Sequence, residues 1–418
     1  MRRKRKKSQG LFFLVVLFFA ILGIVFAIKF SRENSVLIMK KQVAADVDDI
    51  LEQADKLSEG YFYDEAASLL TKFEFSSNSK IQAKLRDIDL KKSSLEPYDG
   101  KIYHIFFHSL IIDPKLAFSS GKEADGYNRW MITADECKKI LAELYLNNYI
   151  LVDIHSFYQK DSAGNLQPTK PLLPPEKKPL IISQDDVNYY EYMSGDGFAS
   201  KLISDEDGNI KTLVIDKNGT ENMTDDGDLV PILDNFIKKH PSFSYRGAKG
   251  ILAVTGYEGA LGYRITKSDT NVSADQMERE NLVRTAKALR EDGWQFACHS
   301  YTHNDFFLDQ NPSIKLISQD LTWWRTYIEP YVGYTDIFVS PFGVHFSPSS
   351  EQMKAVTDAG FEVFCPVDAK MQSNTYSNIF ISTRLNIDGN TLLLKPSEAQ
   401  IFFDAKNILD PTRPCLKE

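Results

Sequence analysis

Apolar positions follow two different spacings along the chain, and the spacing changes near residue 100. From about residue 43 to residue 90, apolar or small side chains recur every three or four positions, which predicts amphipathic helices. After Gly100, short apolar runs alternate with helical segments, which predicts strands joined by crossover helices. The predicted parts are a helical segment at 31–98, an α/β domain at 99–405 and a C-terminal tail at 406–418.

The helical segment is predicted to contain one hairpin. Small residues between Ala54 and Leu70 occupy positions where two antiparallel helices would touch, as in a single tetratricopeptide-type repeat. One copy cannot bury the core of a solenoid. We therefore expect a stalk rather than a peptide-binding array, with a turn-rich boundary at Glu96–Gly100.

Eight apolar runs in the α/β domain have the length of buried strands. They are Ile102–Phe107, Tyr149–Ile154, Pro179–Ser183, Gly250–Thr255, Trp294–Cys298, Asp336–Ser340, Phe361–Pro366 and Ile379–Leu385. The predicted helices are Thr133–Leu146, Asp228–Lys239, Gln276–Glu291 and Ser349–Ala359. Seven or eight such units are enough to close a barrel of parallel strands.

One segment interrupts this alternation. Between Tyr192 and Asp226, two turn signals (207–209 and 217–219) separate β-rich runs, which predicts an inserted β-hairpin or small sheet. Aromatic residues cluster at its start, where they would either stack on sugar rings or pack the insert onto the barrel. These residues are Tyr189, Tyr190, Tyr192 and Phe198.

The N-terminus has the pattern of a membrane anchor. Basic residues dominate positions 1–7, and the run Leu11–Phe30 is long enough to cross the roughly 30 Å apolar core of a bilayer. The basic flank favours a cytoplasmic tip at 1–10, with everything after the span outside. A cleaved signal peptide is the alternative, but the run is longer than usual and no small-x-small site follows it.

The net charge and the cysteine spacing exclude two classes of function, nucleic-acid binding and a zinc ribbon. The formal net charge is −8, and basic residues concentrate at the tip, so the outer part is more acidic still and lacks the basic face of a nucleic-acid-binding protein. The four cysteines lack zinc-ribbon spacing, and their pairing stays open. They are Cys137, Cys298, Cys365 and Cys415; Cys298 is expected to pack in the core.

Two distant segments carry the parts of a one-metal hydrolase. Asp185 and Asp186 follow one predicted strand, His299 follows another, and His303 comes four residues later. Active groups collect at the carboxyl ends of parallel strands. Three ligands leave a divalent ion open to water or substrate, and a spare carboxylate can accept the proton of the attacking water. Either pair alone is a weak signal, because Asp-Asp also caps helices; together they predict an amide or ester hydrolase.

At these residues the chain resembles the polysaccharide deacetylases (carbohydrate esterase family 4, the NodB-homology domain). The block 292–303 resembles the family's metal-binding histidine motif. The sequence 183–186, Ser-Gln-Asp-Asp, is similar to its Asp-Asp motif, although Val187 replaces the usual glycine. Ser340-Pro341-Phe342-Gly343 resembles the Pro-aromatic-Gly motif that lines the pocket. The resemblance covers about residues 101–404.

The resemblance implies a distorted (β/α)7-type barrel that removes N-acetyl groups from an amino sugar. It implies that Asp185 is the general base and that Asp186, His299 and His303 bind one divalent metal. Zinc is the expected ion, with cobalt, nickel and manganese as alternatives. The metal and a backbone N–H near Phe342 would stabilise the oxyanion.

Two functional residues of the family are absent from their usual positions. Val339-Ser340 replaces the arginine that orients the base in the family. The family's catalytic-acid histidine, on a late strand, has no counterpart, because His345 is the last histidine of this sequence. The opening sequence 106–110, Phe-Phe-His-Ser-Leu, resembles that of the circularly permuted poly-N-acetylglucosamine deacetylases, whose acid histidine lies on an early strand. His108 is therefore the predicted acid. Arg384 is the candidate replacement for the missing arginine, or else forms a surface salt bridge.

Two further side chains have open assignments. Asp305 either orients a ligand imidazole or solvates the loop. His155, at the end of a predicted strand, is expected on the same face as the metal site, without an assigned role.

The sequence thus predicts a membrane-anchored, extracytoplasmic, metal-dependent deacetylase of an N-acetylated cell-surface polysaccharide. A catalytically impaired glycan-binding protein on the same fold is one alternative. A deacetylase of peptidoglycan or of another amide is the other. Polymer identity and oligomeric state stay open.

Overall fold

In the computed structural model, the described residues are 22, 29, 37, 39–216, 218–265 and 272–416. The chain divides into two compact units, the first ending at Ser93 and the second beginning at Ser94. The predicted tip and anchor lie outside the described residues, apart from Leu22 and Lys29. Within the part that is described, no helix combines the length and the apolarity needed to cross a bilayer.

The first unit is helical. Its helices are α1 (39–59), α2 (Tyr63–Lys72) and α3 (Ser79–Ser93). The chain reverses around Tyr61, whose φ of 66° is left-handed, so the reversal lies inside the predicted hairpin. Ala54 and Ala66 are fully buried, which is how small side chains let helices approach closely.

The second unit alternates strands and helices. The strands are β1 (Glu96–Pro97), β2 (Tyr103–Phe107), β3 (Tyr149–Leu151), β4 (Tyr158–Lys160), β5 (Leu166–Pro168), β6 (Leu172–Leu173), β7 (Lys178–Gln184), β8 (Lys201–Ser204), β9 (Ile210–Ile215), β10 (Glu221–Thr224), β11 (Gly250–Val254), β12 (Gln295–Cys298), β13 (Ile337–Val339), β14 (Val363–Cys365), β15 (Ser373–Thr375), β16 (Phe380–Ser382) and β17 (Leu385–Asn386). The helices are α4 (Pro114–Ala117), α5 (Ala124–Trp130), α6 (Ala134–Leu146), α7 (Leu229–Lys239), α8 (Val272–Glu291), α9 (Ile314–Tyr327), α10 (Glu329–Val332), α11 (Glu351–Asp358), α12 (Gly389–Leu393), α13 (Pro396–Ala399) and α14 (Ala405–Ile408).

A ten-stranded mixed sheet forms the centre of this unit. Its order is β15-β16-β14-β13-β12-β11-β7-β2-β17, with β3 paired to the beginning of β7. All neighbours are parallel except β15, which runs antiparallel to β16. Helices cover the sheet between strands, and each predicted helix is present; Thr133 closes the predicted capping box with Glu136. The α/β class is confirmed.

The sheet curls back on itself. β16 lies next to one end of the strand order and β17 forms the other end, yet only Thr383 and Arg384 separate them in the chain. Three Cα–Cα steps span at most about 11 Å, so the two ends must come close together. Inside the curl, fully buried His104 lies 3.2 Å from the Ser382 hydroxyl and 3.1 Å from the Ser183 hydroxyl.

This curl corrects one predicted strand. Ile379–Leu385 was expected to be continuous, but it is wrong as a single element because β16 and β17 belong to opposite ends of the sheet. At the break, the Arg384 N–H donates to the Pro366 carbonyl at 2.9 Å. The predicted run Tyr149–Ile154 is also shorter, since β3 ends at Leu151.

The inserted segment is an antiparallel sheet of three strands, β10-β9-β8, rather than a single hairpin. Aspartates close its two turns. The Asp205 carboxylate accepts from the Asn209 N–H at 2.8 Å, and the Asp216 carboxylate accepts from the Thr220 N–H at 2.9 Å.

The C-terminal segment packs into the α/β unit through Arg413. Its guanidinium donates to both oxygens of Glu136, at 2.5 and 2.9 Å, and to the Asn128 and Met131 carbonyls at 2.8 and 3.0 Å. Both charged groups are buried. The segment predicted as a tail therefore holds α5 and α6 together.

Replacing Arg413 by Met should destabilise the protein by about 3–5 kcal/mol, because Glu136 then remains buried without its partner. The free energy of unfolding in urea measures this loss. Lys395→Met is the matched control: its side chain is 62% exposed and forms only a 3.9 Å pair with Glu398. The control should lose less than about 1 kcal/mol, as is usual for a surface pair. An equally small loss for Arg413→Met would contradict the assigned role of Arg413.

Candidate metal centre

The two adjacent aspartates leave β7 in different directions. β7 ends at Gln184, and the Asp185 N–H still donates to the Phe107 carbonyl of β2 at 2.8 Å. Asp186 then takes a φ of 55°. This left-handed conformation is costly for a residue other than glycine and persists where the surroundings enforce it, often at functional sites. The turn separates the two carboxylates.

Asp185 is held by Arg384 from the link between β16 and β17. The guanidinium donates to both carboxylate oxygens, at 2.6 and 3.0 Å, and to the Ser183 hydroxyl at 3.1 Å. It also lies 4.1 Å from the centre of the Phe106 ring. Burial alone would raise the pKa of Asp185, but the charges of Arg384 and His299 and the Arg384 hydrogen bonds outweigh it and lower that pKa. Asp185 is therefore ionised.

The Asp186 carboxylate lies beside the imidazoles of His299 and His303. Its Oδ1 accepts from the Tyr190 hydroxyl at 2.6 Å. Burial would raise its pKa, but His303 and His299 outweigh burial and lower it. An ionised carboxylate beside two imidazoles is the state that binds a cation.

His299 follows β12, and a hydrogen bond to the backbone of β13 orients its ring. Its Nδ1 lies 2.9 Å from the Val339 carbonyl, so that nitrogen donates and Nε2 is left to bind a metal. Burial lowers the pKa of His299 and favours the neutral ring. His303 lies on a loop, with a φ of 46°, and its N–H donates to the Ser300 hydroxyl at 2.8 Å.

Asp186, His299 and His303 form the predicted ligand group. One ligand atom from each lies within 4.8 Å of the others, the only such group of three found among the described residues. One carboxylate oxygen and two imidazole nitrogens suit zinc, and also cobalt, nickel or manganese. The residues present therefore fit one divalent ion. Asp185 stays outside this group, with its Oδ2 4.0 Å from His299 Nε2.

These side chains line a cavity of about 330 Å³. The lining residues are Phe106, His108, Trp130, Asp185, Asp186, His299, His303, Phe342, Gly343, Val367 and Asn386. The predicted residues Asp185, Asp186, His108, His299, His303, Phe342 and Gly343 thus meet in one place. Pro341, next to Phe342, is buried. The Phe342 ring lies 4.4 Å from the His303 ring. His108 reaches the cavity, and its Nδ1 is buried with no hydrogen-bond partner among the described residues.

The sequence analysis missed the residue that fixes the histidine loop. Asp320 of α9 accepts from the N–H groups of Tyr301 and Thr302, at 2.6 and 2.9 Å, and from the Thr302 hydroxyl at 2.6 Å. Asp305, for which orienting a ligand imidazole and solvating the loop were both left open, is exposed after His303, which agrees with the second of these. Position 320 lies on the apolar stripe of α9, and a charge on such a stripe is a signal that could have revealed it.

A second missed residue is Asp228, which caps α7. Its carboxylate accepts from the Leu110 N–H at 3.1 Å, from Gln184 Nε2 at 2.8 Å and from the Tyr189 hydroxyl. It thereby ties the loop that follows His108 to the loop that carries the aspartates. Burial raises the pKa of Asp228 despite these hydrogen bonds.

The expected position of His155 is wrong. Its Nδ1 lies 2.8 Å from Asp153 Oδ1, and its Nε2 lies 2.9 Å from Asp336 Oδ1. Asp336 precedes β13, so this cluster sits at the amino-terminal end of the parallel strands, opposite the metal ligands. The error came from reading a strand to residue 154, whereas β3 ends at Leu151.

The cysteines are unpaired within the described residues. Cys137, Cys298 and Cys365 are buried, and Cys415 is exposed. Cys298 packs in the apolar core, as predicted.

No protein-family model and no curated protein matches the chain. Among solved structures, the Streptococcus pyogenes deacetylase PplD in complex with acetate is similar at 13% identity and a TM-score of 0.41, over 73% of this chain and 98% of that one. A de-N-acetylase from Aggregatibacter actinomycetemcomitans is similar at 14% identity and a TM-score of 0.43, over 74% of this chain and 100% of that one. BA3943, a CE4 family pseudoenzyme from Bacillus anthracis, is similar at 16% identity and a TM-score of 0.22, over 40% of this chain and 53% of that one.

These structural neighbours belong to the group of proteins that the sequence motifs resemble. Because their identities are at most 16% and their TM-scores are below 0.5, we infer function from this chain's own side chains.

Asp320→Asn should weaken the affinity for Co²⁺ by about 10–100-fold, because the loop that carries His303 loses its carboxylate anchor. Titration of the metal-free protein, followed by the visible absorption of bound cobalt, measures this. Asp305→Asn is the matched control and should bind as the wild type does. Equal affinities for all three proteins would show that Asp320 does not position the site.

Proposed function

We propose that this protein is a metal-dependent N-deacetylase of an amino-sugar polysaccharide. The observation that supports it is the separation of two neighbouring carboxylates. Asp186 joins two imidazoles as a metal-ligand group, whereas Asp185 is held ionised by Arg384 beside the same cavity. An amide hydrolase with one metal needs both roles.

Asp185 is the proposed general base. A bound divalent ion would supply Lewis-acid activation of the amide carbonyl and of water. Asp185 accepts the proton of the attacking water with a lone pair that Arg384 leaves free. Arg384 keeps the carboxylate ionised and oriented, and so takes the place of the arginine that is absent before the Pro-aromatic-Gly motif.

His108 is the proposed acid. Its ring lines the cavity, from which it can protonate the leaving amine nitrogen. Buried Asp388 lies near enough for the imidazole to influence it: burial raises the pKa of Asp388, and His108 opposes that rise. The backbone at Phe342, beside His303, is the proposed donor to the oxyanion.

The amino-sugar substrate is inferred from the motif resemblance at 183–186, 292–303 and 340–343. We also propose that residues 11–30 anchor the protein in the membrane with the α/β unit outside, on the basis of the apolar run and its basic flank. Arg384, which contacts Asp185, and His108, which lines the cavity, are the proposed substitutes for the two groups missing from the motifs. Their presence beside the ligand group favours an active enzyme over a glycan-binding protein.

The purified chain should release acetate from N-acetylglucosamine oligomers only when loaded with metal. A chelator should abolish turnover, and added Zn²⁺ or Co²⁺ should restore it. Enzymatic detection of acetate, with peptidoglycan as the second substrate, measures this and separates the two enzyme hypotheses. A protein that binds the metal but releases acetate from neither substrate would support the glycan-binding alternative.

Asp185→Asn and His108→Ala should each lower kcat by about 10²–10⁴-fold, because each removes one proton-transfer group. Metal content, measured by elemental analysis, should stay that of the wild type in both, whereas Asp186→Asn should lose the metal. His345→Ala, which removes an exposed imidazole, is the control. Near-normal turnover of His108→Ala with unchanged metal content would eliminate His108 as the acid.

A further inference from the structure

One buried histidine takes no part in the proposed chemistry. His104 lies on β2, inside the curled sheet, and is fully shielded from solvent. An imidazole is costly to bury unless its ring nitrogens have hydrogen-bond partners. The partners of these two nitrogens therefore indicate what the histidine does.

His104 shares one face of β2 with two residues of the site. Successive side chains of a strand point to opposite faces of the sheet, so His104, Phe106 and His108 follow the same face. The Phe106 ring lies 5.7 Å from the His108 ring and 4.1 Å from the Arg384 guanidinium. His108 lines the metal cavity, and His104 is the residue of this face farthest from the cavity end of the strand.

Hydrogen bonds connect His104 to the proposed base. Its Nε2 lies 3.1 Å from the Ser183 hydroxyl oxygen, and its Nδ1 lies 3.2 Å from the Ser382 hydroxyl oxygen. The Ser183 oxygen also accepts from Arg384 Nη1 at 3.1 Å, and the same nitrogen donates to Asp185 at 2.6 Å. Ser382, His104, Ser183 and Arg384 thus form a buried relay that ends at Asp185.

The charge of Arg384 sets the direction of the buried relay. A guanidinium can only donate, so the Ser183 oxygen accepts from it and the Ser183 hydrogen points to His104 Nε2. Coulomb attraction favours a bare ring nitrogen on the side of the cation over an N–H on that side. Nδ1 then carries the hydrogen and donates to Ser382. Burial and the nearby Arg384 charge lower the pKa of His104 well below its usual value, so the ring is neutral, as this arrangement requires.

This direction matters for the guanidinium. A serine hydroxyl rotates about its C–O bond unless a partner fixes it. Donating to His104 turns the lone pairs of Ser183 toward Arg384. The Arg384 Nε has no hydrogen-bond partner among the described residues, so the orientation of the guanidinium depends on Ser183, Asp185 and the Phe106 ring.

We propose that His104 is a positioning residue for the base. As the neutral Nδ1–H tautomer, it orients the Ser183 hydroxyl and, through Ser183, the guanidinium that holds Asp185. His104 is not among the residues that line the cavity. This inference rests on the proposed function, in which Asp185 accepts a proton, and adds a residue that acts on Asp185 from inside the curled sheet.

Acetate release by variants of His104 tests this role. His104→Phe keeps a ring but removes both hydrogen bonds, and it should lower kcat roughly 10–100-fold because Asp185 loses its fixed orientation. KM should stay close to that of the wild type, because the substrate does not contact the relay. His104→Gln, which keeps one acceptor and one donor, should recover most of the lost kcat.

A double-mutant cycle separates the relay from a general loss of packing. Ser183→Ala alone should lower kcat about as much as His104→Phe does, and the double variant should lose no more than either single variant, because both act through one contact. Losses that multiply in the double variant, or a wild-type kcat in His104→Phe, would overturn the proposal.

Thr335→Val is the matched control. The Thr335 hydroxyl is also buried, and it donates to the Phe296 carbonyl at 2.6 Å. Thr335 lies just before β13, at the end of the strands opposite the cavity. This variant should lose stability but keep its kcat. A loss of kcat equal to that of His104→Phe would show that the removal of any buried hydrogen bond has this effect, and the assignment would be wrong.

The tautomer of His104 tests the relay without turnover. The chain has seven histidines, so NMR of the metal-free protein made with nitrogen-labelled histidine resolves few rings, and loss of one set of signals in His104→Gln assigns them. At neutral pH the His104 ring should carry its hydrogen on Nδ1. In Ser183→Ala the bare Nε2 signal should shift more than the Nδ1 signal, because only Nε2 loses its partner. A hydrogen on Nε2, or a charged ring, would overturn the relay.

These two kinds of measurement separate the inference from the proposed function. If the wild type releases no acetate but both NMR results are found, the proposed function fails and the relay stands. If the wild type releases acetate and His104→Phe has the same kcat, the proposed function stands and the positioning role is wrong.

Discussion

The buried ion pair between Arg384 and Asp185 is the contact on which the arrangement of the site depends. Removing two charges from water is costly, and a bidentate geometry is the one that best offsets this cost. Here both terminal guanidinium nitrogens donate to the carboxylate, and both side chains are buried. The pair divides two adjacent aspartates into a base and a ligand.

The curl of the sheet supplies this pair. Arg384 lies in the two-residue link that joins strands at opposite ends of the sheet order. After the link, β17 pairs with β2, and β2 pairs with β7, the strand that Asp185 follows. Buried His104, between Ser183 and Ser382, connects the same two regions inside the curl. The link that joins the two ends of the curled sheet therefore also carries the arginine that pairs with Asp185.

Backbone strain marks the same place. Asp186, Ser300, His303 and Phe342 all have left-handed backbone conformations without being glycine. Each costs about 1–3 kcal/mol and needs surrounding contacts to hold it. Asp228 and Asp320 provide such contacts for the aspartate and histidine loops. These two loops are thus tied to neighbouring helices, to α7 through Asp228 and to α9 through Asp320.

Local periodicity predicted most of the elements, because strands such as β7 and helices such as α6 are determined by their own apolar pattern. The ligand group was predicted from the motif residues at 183–186 and 299–303, because they follow two predicted strands and resemble known metal-binding motifs. Contacts between distant segments do not follow from periodicity. The role of Arg384 beside the base was predicted from the family resemblance, with a surface salt bridge as the alternative, and Arg384 is fully buried against Asp185. Asp320, which contacts the histidine loop from a helix, and Arg413, which reaches Glu136 across 277 positions, were not predicted.

The anomalous scattering of a zinc-loaded crystal tests the central claim most directly. The account predicts one strong peak coordinated by Asp186, His299 Nε2 and His303 at about 2.0–2.2 Å, with Asp185 still paired to Arg384 and not bound to the metal. A peak coordinated by Asp185 in place of Asp186, or no peak at these residues under saturating zinc, would contradict it.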